Sequence, residues 1–447
     1  MADTQLFTAP RPAPPAGSLS SWQQIAAFRR NVLGIWPAEA YERDHLVQPF
    51  LGTRRLLISA PDAIQHVLVN NAENYRRTAA AIRILRPIVG DGLLLSTGET
   101  WRHQRRTAAP AMAPRSLSLL LRPIPHAVDE AVVTLRDAAG TVDLLALMQR
   151  VTLDIAGRSM FSLEMGQFGA EMRAQMAEYA RRFGRPYLLD LLLPVGIPSW
   201  HDFGRRRFQR GWTALIDAII AARLAQPEAD APRDLFDLLR AARDPQTGEA
   251  FSPVQLRDQV ATMITAGHET TALTLFWCFY LLANAPDIQQ RVAAEARDVE
   301  LGPDALARLP YTHAVVQEAL RLYPPAFVLV RQAIAADSFH GIDIPAGGVV
   351  MISPWVLHHH RALWRDADAF DPSRFLPGAP PPARFSYLPF GAGPRVCIGA
   401  QFALAEATHV LAGIIRAFRV RTDDTVLPVC VVTTQPDHPV LFSLERR

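Results

Sequence analysis

The stretch Phe390-Gly391-Ala392-Gly393-Pro394-Arg395-Val396-Cys397-Ile398-Gly399 decides how this chain is read. Three glycines and a proline surround one cysteine. Glycine admits unusual backbone angles and lets a large group approach the main chain closely. The apolar run AQFALAEATHVLAGIIRAF follows at once and predicts a helix over residues 400–418. A cysteine just before a helix N-terminus sits where N–H groups and the helix dipole stabilise a thiolate. Arg395 adds a cation two residues away. A lone cysteine is most often a small buried residue beside a turn. The ten-residue frame asks for more: a thiolate presented to something bulky, as a metal ligand would be.

The rest of the chain sets limits. It has 447 residues, 49% hydrophobic and 20% charged, with a formal net charge of +3. That is ordinary globular composition, not that of a disordered chain. Three cysteines, Cys278, Cys397 and Cys430, are too few for a disulfide-stapled scaffold, and none forms a C-x-x-C pair. Cys278 and Cys430 read as small core residues. The basic residues are all arginine. The nearest basic cluster, Arg205, Arg206, Arg207 and Arg210, reads as a solvated helix end, and nothing argues for nucleic acid. The N-terminus lacks a signal peptide's basic start and apolar stretch. The longest nearly apolar run, residues 272–283, falls short of the roughly 20 residues a bilayer span needs. A soluble, cytoplasmic protein without a membrane anchor is expected.

Periodicity predicts a mainly α protein with small β-sheets near both ends. Residues 1–44 read as a Pro-rich arm and a first helix. Residues 45–51 and 54–59 alternate as a hairpin about Gly52-Thr53, and Pro61 opens a helix. Residues 114–300 are mainly helical, interrupted near Pro186, Pro194 and Pro198. Residues 328–353 and 426–442 look strand-like. Ser252-Pro253 caps a helix whose periodicity continues to Asn284, before Pro286 stops it. Polar residues interrupt its apolar middle, in Ala266-Gly267-His268-Glu269-Thr270-Thr271. On an exposed face they would be unremarkable. In a buried helix an unpaired ionisable group costs several kcal/mol, and Gly267 leaves room for a ligand.

Three further patterns stand out. Glu318-Ala319-Leu320-Arg321 places a carboxylate and a guanidinium on one helix face, directly before Leu322-Tyr323-Pro324-Pro325. Alone, that pair is a common surface contact. Asp371-Pro372-Ser373-Arg374-Phe375 lies in a later Pro-rich stretch. Trp101 and Arg105 share a helix face one turn apart.

Together these motifs resemble the cytochrome P450 family. The frame F-x-x-G-x-R-x-C-x-G is its haem-binding loop, and A-G-x-[DE]-T, E-x-x-R and W-x-x-x-R are matched as well. Ser373 stands where the commoner form has glutamate. The resemblance covers the chain from about residue 45, and so implies one haem-binding monooxygenase domain over 45–447 with the P450 fold. It implies haem b, with Cys397 as the axial iron ligand and Phe390 packed beside it. Arg395, Arg105, Trp101 and Arg331 would contact propionates, His103 more weakly. Gly391, Gly399 and Ala266 would lie against the cofactor. Glu269 and Thr270 would deliver protons during dioxygen activation, while His268, at the variable position of the pattern, reads as an outward or locally hydrogen-bonded histidine. Glu318, Arg321 and Arg374 would form a structural triad.

The resemblance implies insertion of one oxygen atom from O2 into a lipophilic small molecule, by hydroxylation or epoxidation of a fatty acid, terpenoid, steroid or aromatic. The pocket would include Ile82, Leu85, Leu188, Met263, Ala266, Phe327, Val328, Leu329 and Thr433. Too few residues follow Gly399 for a reductase domain, so a separate ferredoxin and ferredoxin reductase are expected as electron donors, docking near Arg102, Arg106, Arg361 and Arg365. A haem-thiolate peroxygenase or a rearrangement enzyme is the alternative, and a gas-sensing haem protein the more distant one.

Overall fold

Ser252 and Gln255 start the element around which the protein is built. Gln255 N–H donates to Ser252 Oγ at 3.2 Å, and Ser252 N–H donates to Gln255 Oε1 at 2.9 Å. This reciprocal cap, with Pro253 in the first turn, launches the helix Pro253–Ala283. Its 31 residues span about 46 Å. Residues 271–282 are buried without a break, so the apolar run 272–283 is the centre of the core. The helix packs most extensively on Leu144–Phe161, and also on Ala400–Ala417 and Pro310–Leu322. Trp277 stacks on Tyr323 with ring centres 4.0 Å apart. The computed structural model of the chain describes residues 6–138, 140–194, 196–227, 229–339 and 341–447.

Among the described residues, five strands form the largest sheet, in the order His45–Phe50, Thr53–Ile58, Val349–Ile352, Leu329–Ala333 and Tyr75–Arg76. Only the pairing of Thr53–Ile58 with Val349–Ile352 is parallel, with Arg55 opposite Val349. A second sheet joins Thr141–Asp143, Leu441–Arg446 and Phe418–Arg421. A short hairpin pairs Pro428–Cys430 with Thr434–Pro436. No helix among the described residues is long and apolar enough to cross a membrane. The arm before residue 45 is tied down: Thr8 bridges Ala369, and Tyr323 Oη donates to Pro10 O at 3.0 Å.

One expectation needs correction. The first hairpin turns at Leu51-Gly52, one residue earlier than expected, with φ of 48° and 75°. A two-residue turn that follows the strand twist needs positive φ at both positions, and Thr53 is β-branched and joins the strand. The stretch after Thr78 is a helix, Ala79–Val89, despite Pro87. Tyr179 Oη and Trp212 Nε1 donate to the carbonyls of Ile84 and Ile88, so distant side chains complete this helix.

Candidate functional site

The cysteine loop is shaped by two glycines in the left-handed region, Gly391 and Gly393, both at φ 71°. A Cβ on Gly393 would fall 1.9 Å from Leu68 O, so only glycine lets this loop rest on residues 66–70. Cys397 N–H donates to Phe390 O at 2.9 Å and closes the loop. The helix Ala400–Ala417 begins immediately afterwards. The Cys397 side chain is accessible, yet its thiol is pushed up by burial, against a Gly399 N–H and the Arg105 cation. An accessible sulfur in dense surroundings faces a cleft, not the outer surface.

A buried scaffold stands behind the loop. Arg321 Nε and Nη2 each donate to Glu318 at 2.7 Å, and both residues are fully buried. Arg321 also donates to the carbonyls of His358, Ala367 and Ala369. Arg374 Nε lies 3.5 Å from Glu318 Oε1, so the three residues do meet. His358, missed in the sequence, extends this scaffold toward the cysteine. Leu388 N–H donates to its Nε2 at 2.8 Å, which leaves Nδ1 to donate to Arg321 O at 3.1 Å. Burial and then the Arg321 charge push its pKa down to about 3, so it is neutral.

Three cations converge at the loop's edge. Arg331 is buried, and Arg395 Nη2 donates to Ser96 O at 2.9 Å while its guanidinium covers the Trp101 ring at 4.5 Å. Arg77, at the end of the short strand Tyr75–Arg76, is the third. Burial, then repulsion from Arg331 and Arg395, pushes Arg77 down to about 9. Burial, then Arg395, pushes Arg331 down to about 10. Among the described residues none of the three has a carboxylate partner, and Arg77 Nε and Arg395 Nη1 are buried without any hydrogen bond. Buried unpaired cations are strongly destabilising. Such a cluster fits a group that brings its own negative charges, as a dicarboxylate cofactor does. Arg105 differs: its Nη1 donates to Val396 O at 2.9 Å, next to the cysteine.

The polar middle of the central helix divides its work. Ala266 is exposed between the buried residues Ile264 and His268, so open space lies beside it. Thr270 Oγ1 donates to Ala266 O at 2.6 Å. His268 is buried and turned to the helix Leu144–Phe161, where its Nε2 donates to Gln149 O at 2.9 Å. Burial pushes it down to about 4. Glu269 Oε1 accepts from Thr433 Oγ1 at 3.2 Å and from Gln435 Nε2 at 2.9 Å. Burial raises the pKa of its carboxyl, and these two donors oppose the rise.

Other expected positions are placed as follows. Met263 and Phe327 are buried, Val328 and Leu329 half-buried, and Leu85 packs against the core. Ile82 lines a cleft of about 160 Å³ with Arg83 and Asp202. Leu188 stands 38% exposed at the start of Leu188–Leu192. His103 points elsewhere than a propionate: its Nδ1 meets Asp244 at 2.9 Å. The expected docking arginines are largely neutralised. Arg102 pairs with Glu73 and Glu99, Arg106 with Asp244 and Glu99, and Arg361 with Glu42. Arg365 is 94% exposed with Asp366 nearby.

Residues 38–437 match the model of the family described as "Cytochrome P450". The chain is 34% identical over 388 residues to cyclooctatin synthase of Streptomyces melanosporofaciens, covering 84% of this chain and 83% of that one. It is 30% identical over 426 residues to cyclooctat-9-en-7-ol 5-monooxygenase of the same organism, covering 93% and 89%. It is 32% identical over 411 residues to the protein LUTEIN DEFICIENT 5 of Arabidopsis thaliana, covering 86% and 68%. The crystal structure of a cytochrome P450, CYP102L1, superposes with a TM-score of 0.80 at 25% identity, over 98% of this chain and 100% of that one. A family match over this span, on a fold shared nearly end to end, makes the chain a member of the cytochrome P450 family, a haem-iron monooxygenase.

Proposed function

We propose that the cofactor is haem b and that Cys397 Sγ is the protein ligand to its iron. Bound there, haem supplies the dioxygen activation from which one oxygen atom enters the substrate. The observation that carries this reading is the cluster of Arg77, Arg331 and Arg395 without carboxylates, beside an accessible cysteine. These three, with Trp101 and Arg105, hold the propionates. The Gly399 N–H and the Arg105 cation favour the thiolate form that a metal requires. Gly391, Gly399 and Ala266 leave room for the ring, and Phe390 packs beside the cysteine. Glu318, Arg321 and Arg374 fix the loop without touching the cofactor.

Glu269 and Thr270 handle protons. Oε1 of Glu269 already accepts two hydrogen bonds, so the proton of the neutral acid sits on Oε2. Burial raises its pKa and so favours that proton-carrying form, against the pull of the two donors. Thr270 gives its hydrogen to Ala266 O and presents oxygen lone pairs to the open space beside Ala266.

The substrate is a lipophilic small molecule held against Ile82, Leu85, Met263, Phe327, Val328 and Leu329. The name of one Streptomyces relative gives that protein's substrate as an unsaturated alcohol, which favours a terpenoid-like compound over the other lipophiles. Residues 45–447 act as one unit in the cytoplasm. A ferredoxin with its reductase supplies electrons. Basic residues outnumber acidic ones, 46 to 43, which suits an acidic carrier. The docking surface then relies on cations other than Arg102, Arg106 and Arg361.

The test is product formation from a panel of lipophiles with isotopically labelled dioxygen, NADPH, a plant-type ferredoxin and its reductase. One labelled oxygen atom per product is expected. Turnover with hydrogen peroxide alone, and none with the electron donors, would instead indicate a peroxygenase.

A further inference from the structure

The carboxylate on the central helix is held by residues from the far end of the chain. Gln435 Nε2 donates to Glu269 Oε1 at 2.9 Å and to Thr433 Oγ1 at 3.3 Å. Thr433 Oγ1 therefore accepts from the amide and passes its own hydrogen to Glu269 Oε1, at 3.2 Å. The amide thus bonds the carboxylate and also orients the hydroxyl that bonds it. Among the described residues Oε2 accepts no hydrogen bond.

The hairpin that carries these donors is fixed on several sides. Cys430 pairs with Thr434 across its two strands. Thr434 Oγ1 donates to Pro324 O at 2.6 Å, and Cys430 N–H donates to Asn31 Oδ1 at 3.1 Å. Trp277 Nε1 donates to Thr434 O at 3.1 Å. Trp277 lies about two turns beyond Glu269 on the same helix. The hairpin is thus pinned to the central helix at Trp277 and meets it again at Glu269, which sets the amide's reach.

We propose that Gln435 is a positioning residue for the proton-delivering carboxylate: it anchors Oε1 directly and through Thr433, and so keeps the exchangeable proton on Oε2. This rests on the role given to Glu269 above. Gln435 itself touches neither the reacting atoms nor the cofactor's ligand. Without the amide, the carboxyl can rotate, Thr433 can turn its hydroxyl elsewhere, and either oxygen can take the proton. One neutral hydrogen bond is worth about a two- to tenfold factor in an equilibrium, which sets the size of the expected effect.

The experiment uses the haem-loaded protein and the variants Gln435→Leu and Glu269→Gln, each accepted only if haem content matches that of the parent. The first readout is the infrared carbonyl band of the protonated Glu269 side chain, recorded as the pH is lowered and assigned by its loss in Glu269→Gln. Gln435→Leu should shift that band to higher frequency, because the carbonyl oxygen loses a donor. The second readout is the share of NADPH electrons lost to hydrogen peroxide, with a plant-type ferredoxin, its reductase and farnesol as probe. Gln435→Leu should raise that share about two- to tenfold, and Glu269→Gln should raise it at least as much. If Glu269→Gln raises peroxide while Gln435→Leu moves neither the band nor the peroxide, the proposal for Gln435 is overturned and the role of Glu269 stands. If Gln435→Leu shifts the band but Glu269→Gln leaves peroxide unchanged, the role of Glu269 fails and the proposal falls with it.

Discussion

Replacing Arg321 with leucine should destabilise the folded protein by about 3–5 kcal/mol, the usual cost of removing one partner from a buried ion pair. The size follows from what the guanidinium satisfies. It makes two bonds of 2.7 Å to the Glu318 oxygens and three more to carbonyls, at 2.9, 2.7 and 3.0 Å. Both charged groups are fully buried. Leucine would orphan a carboxylate and three backbone acceptors at once. Arg374, 3.5 Å from Glu318, leaves a residual cation and keeps the loss toward the lower end. Glu318→Leu should cost a similar amount, since it strands the Arg321 charge and the Asp371 N–H, which donates to Glu318 at 3.0 Å. The double variant should lose little more than either single one, a coupling of about 2–3 kcal/mol. Guanidinium unfolding followed by tryptophan fluorescence measures all three. Single losses below about 1 kcal/mol, or additivity within about 0.5 kcal/mol, would refute the claim that this pair is the buried support of the loop.

Gly393→Ala should lower haem content per polypeptide, because a Cβ there meets Leu68 O at 1.9 Å and the position has φ 71°; pigment analysis of purified protein reads this directly. Arg77→Met should stabilise the haem-free protein, by relieving repulsion with Arg331 and Arg395, while weakening haem retention against an apomyoglobin trap. An Arg77→Met variant less stable than its parent without haem would contradict the unpaired-cation reading. Asp244 is held well below its ordinary value of 3.8, first by Arg106. A depressed carboxyl stabilises the fold above its unfolded value and loses that contribution as pH falls through the folded value. The stability gap between parent and Asp244→Asn should therefore be constant above about pH 5 and shrink below about pH 4.

What could be read in the sequence was local. The cysteine frame, the capped helix Pro253–Ala283 and the spacing of Glu318 and Arg321 each lie within a few turns of chain, so residue type and spacing carry the signal. What could not be read was held by contacts between distant residues. Gln435 meets Glu269 across 166 positions, and the tail around it reads only as strand. Thr433 was expected in the pocket wall, and its hydroxyl turns out to serve the carboxylate. Arg77 did leave a trace. It immediately precedes Thr78, the cap of the helix Ala79–Val89, and a cation is disfavoured at the positive end of a helix. An anionic group bound beside it would offset that cost. The ion pairing of the expected docking arginines could not be read for a related reason. Arginines can be counted in a sequence, but their partners Asp244, Glu73 and Glu42 come from elsewhere in the fold.

The most direct test of the account is the absorbance spectrum of the purified protein, reduced with dithionite and exposed to carbon monoxide, beside Cys397→Ala. A strongly red-shifted Soret band is expected in the parent and lost in the variant, as a cysteine thiolate opposite carbon monoxide requires. A band typical of a neutral axial ligand, or one unchanged in Cys397→Ala, would contradict it.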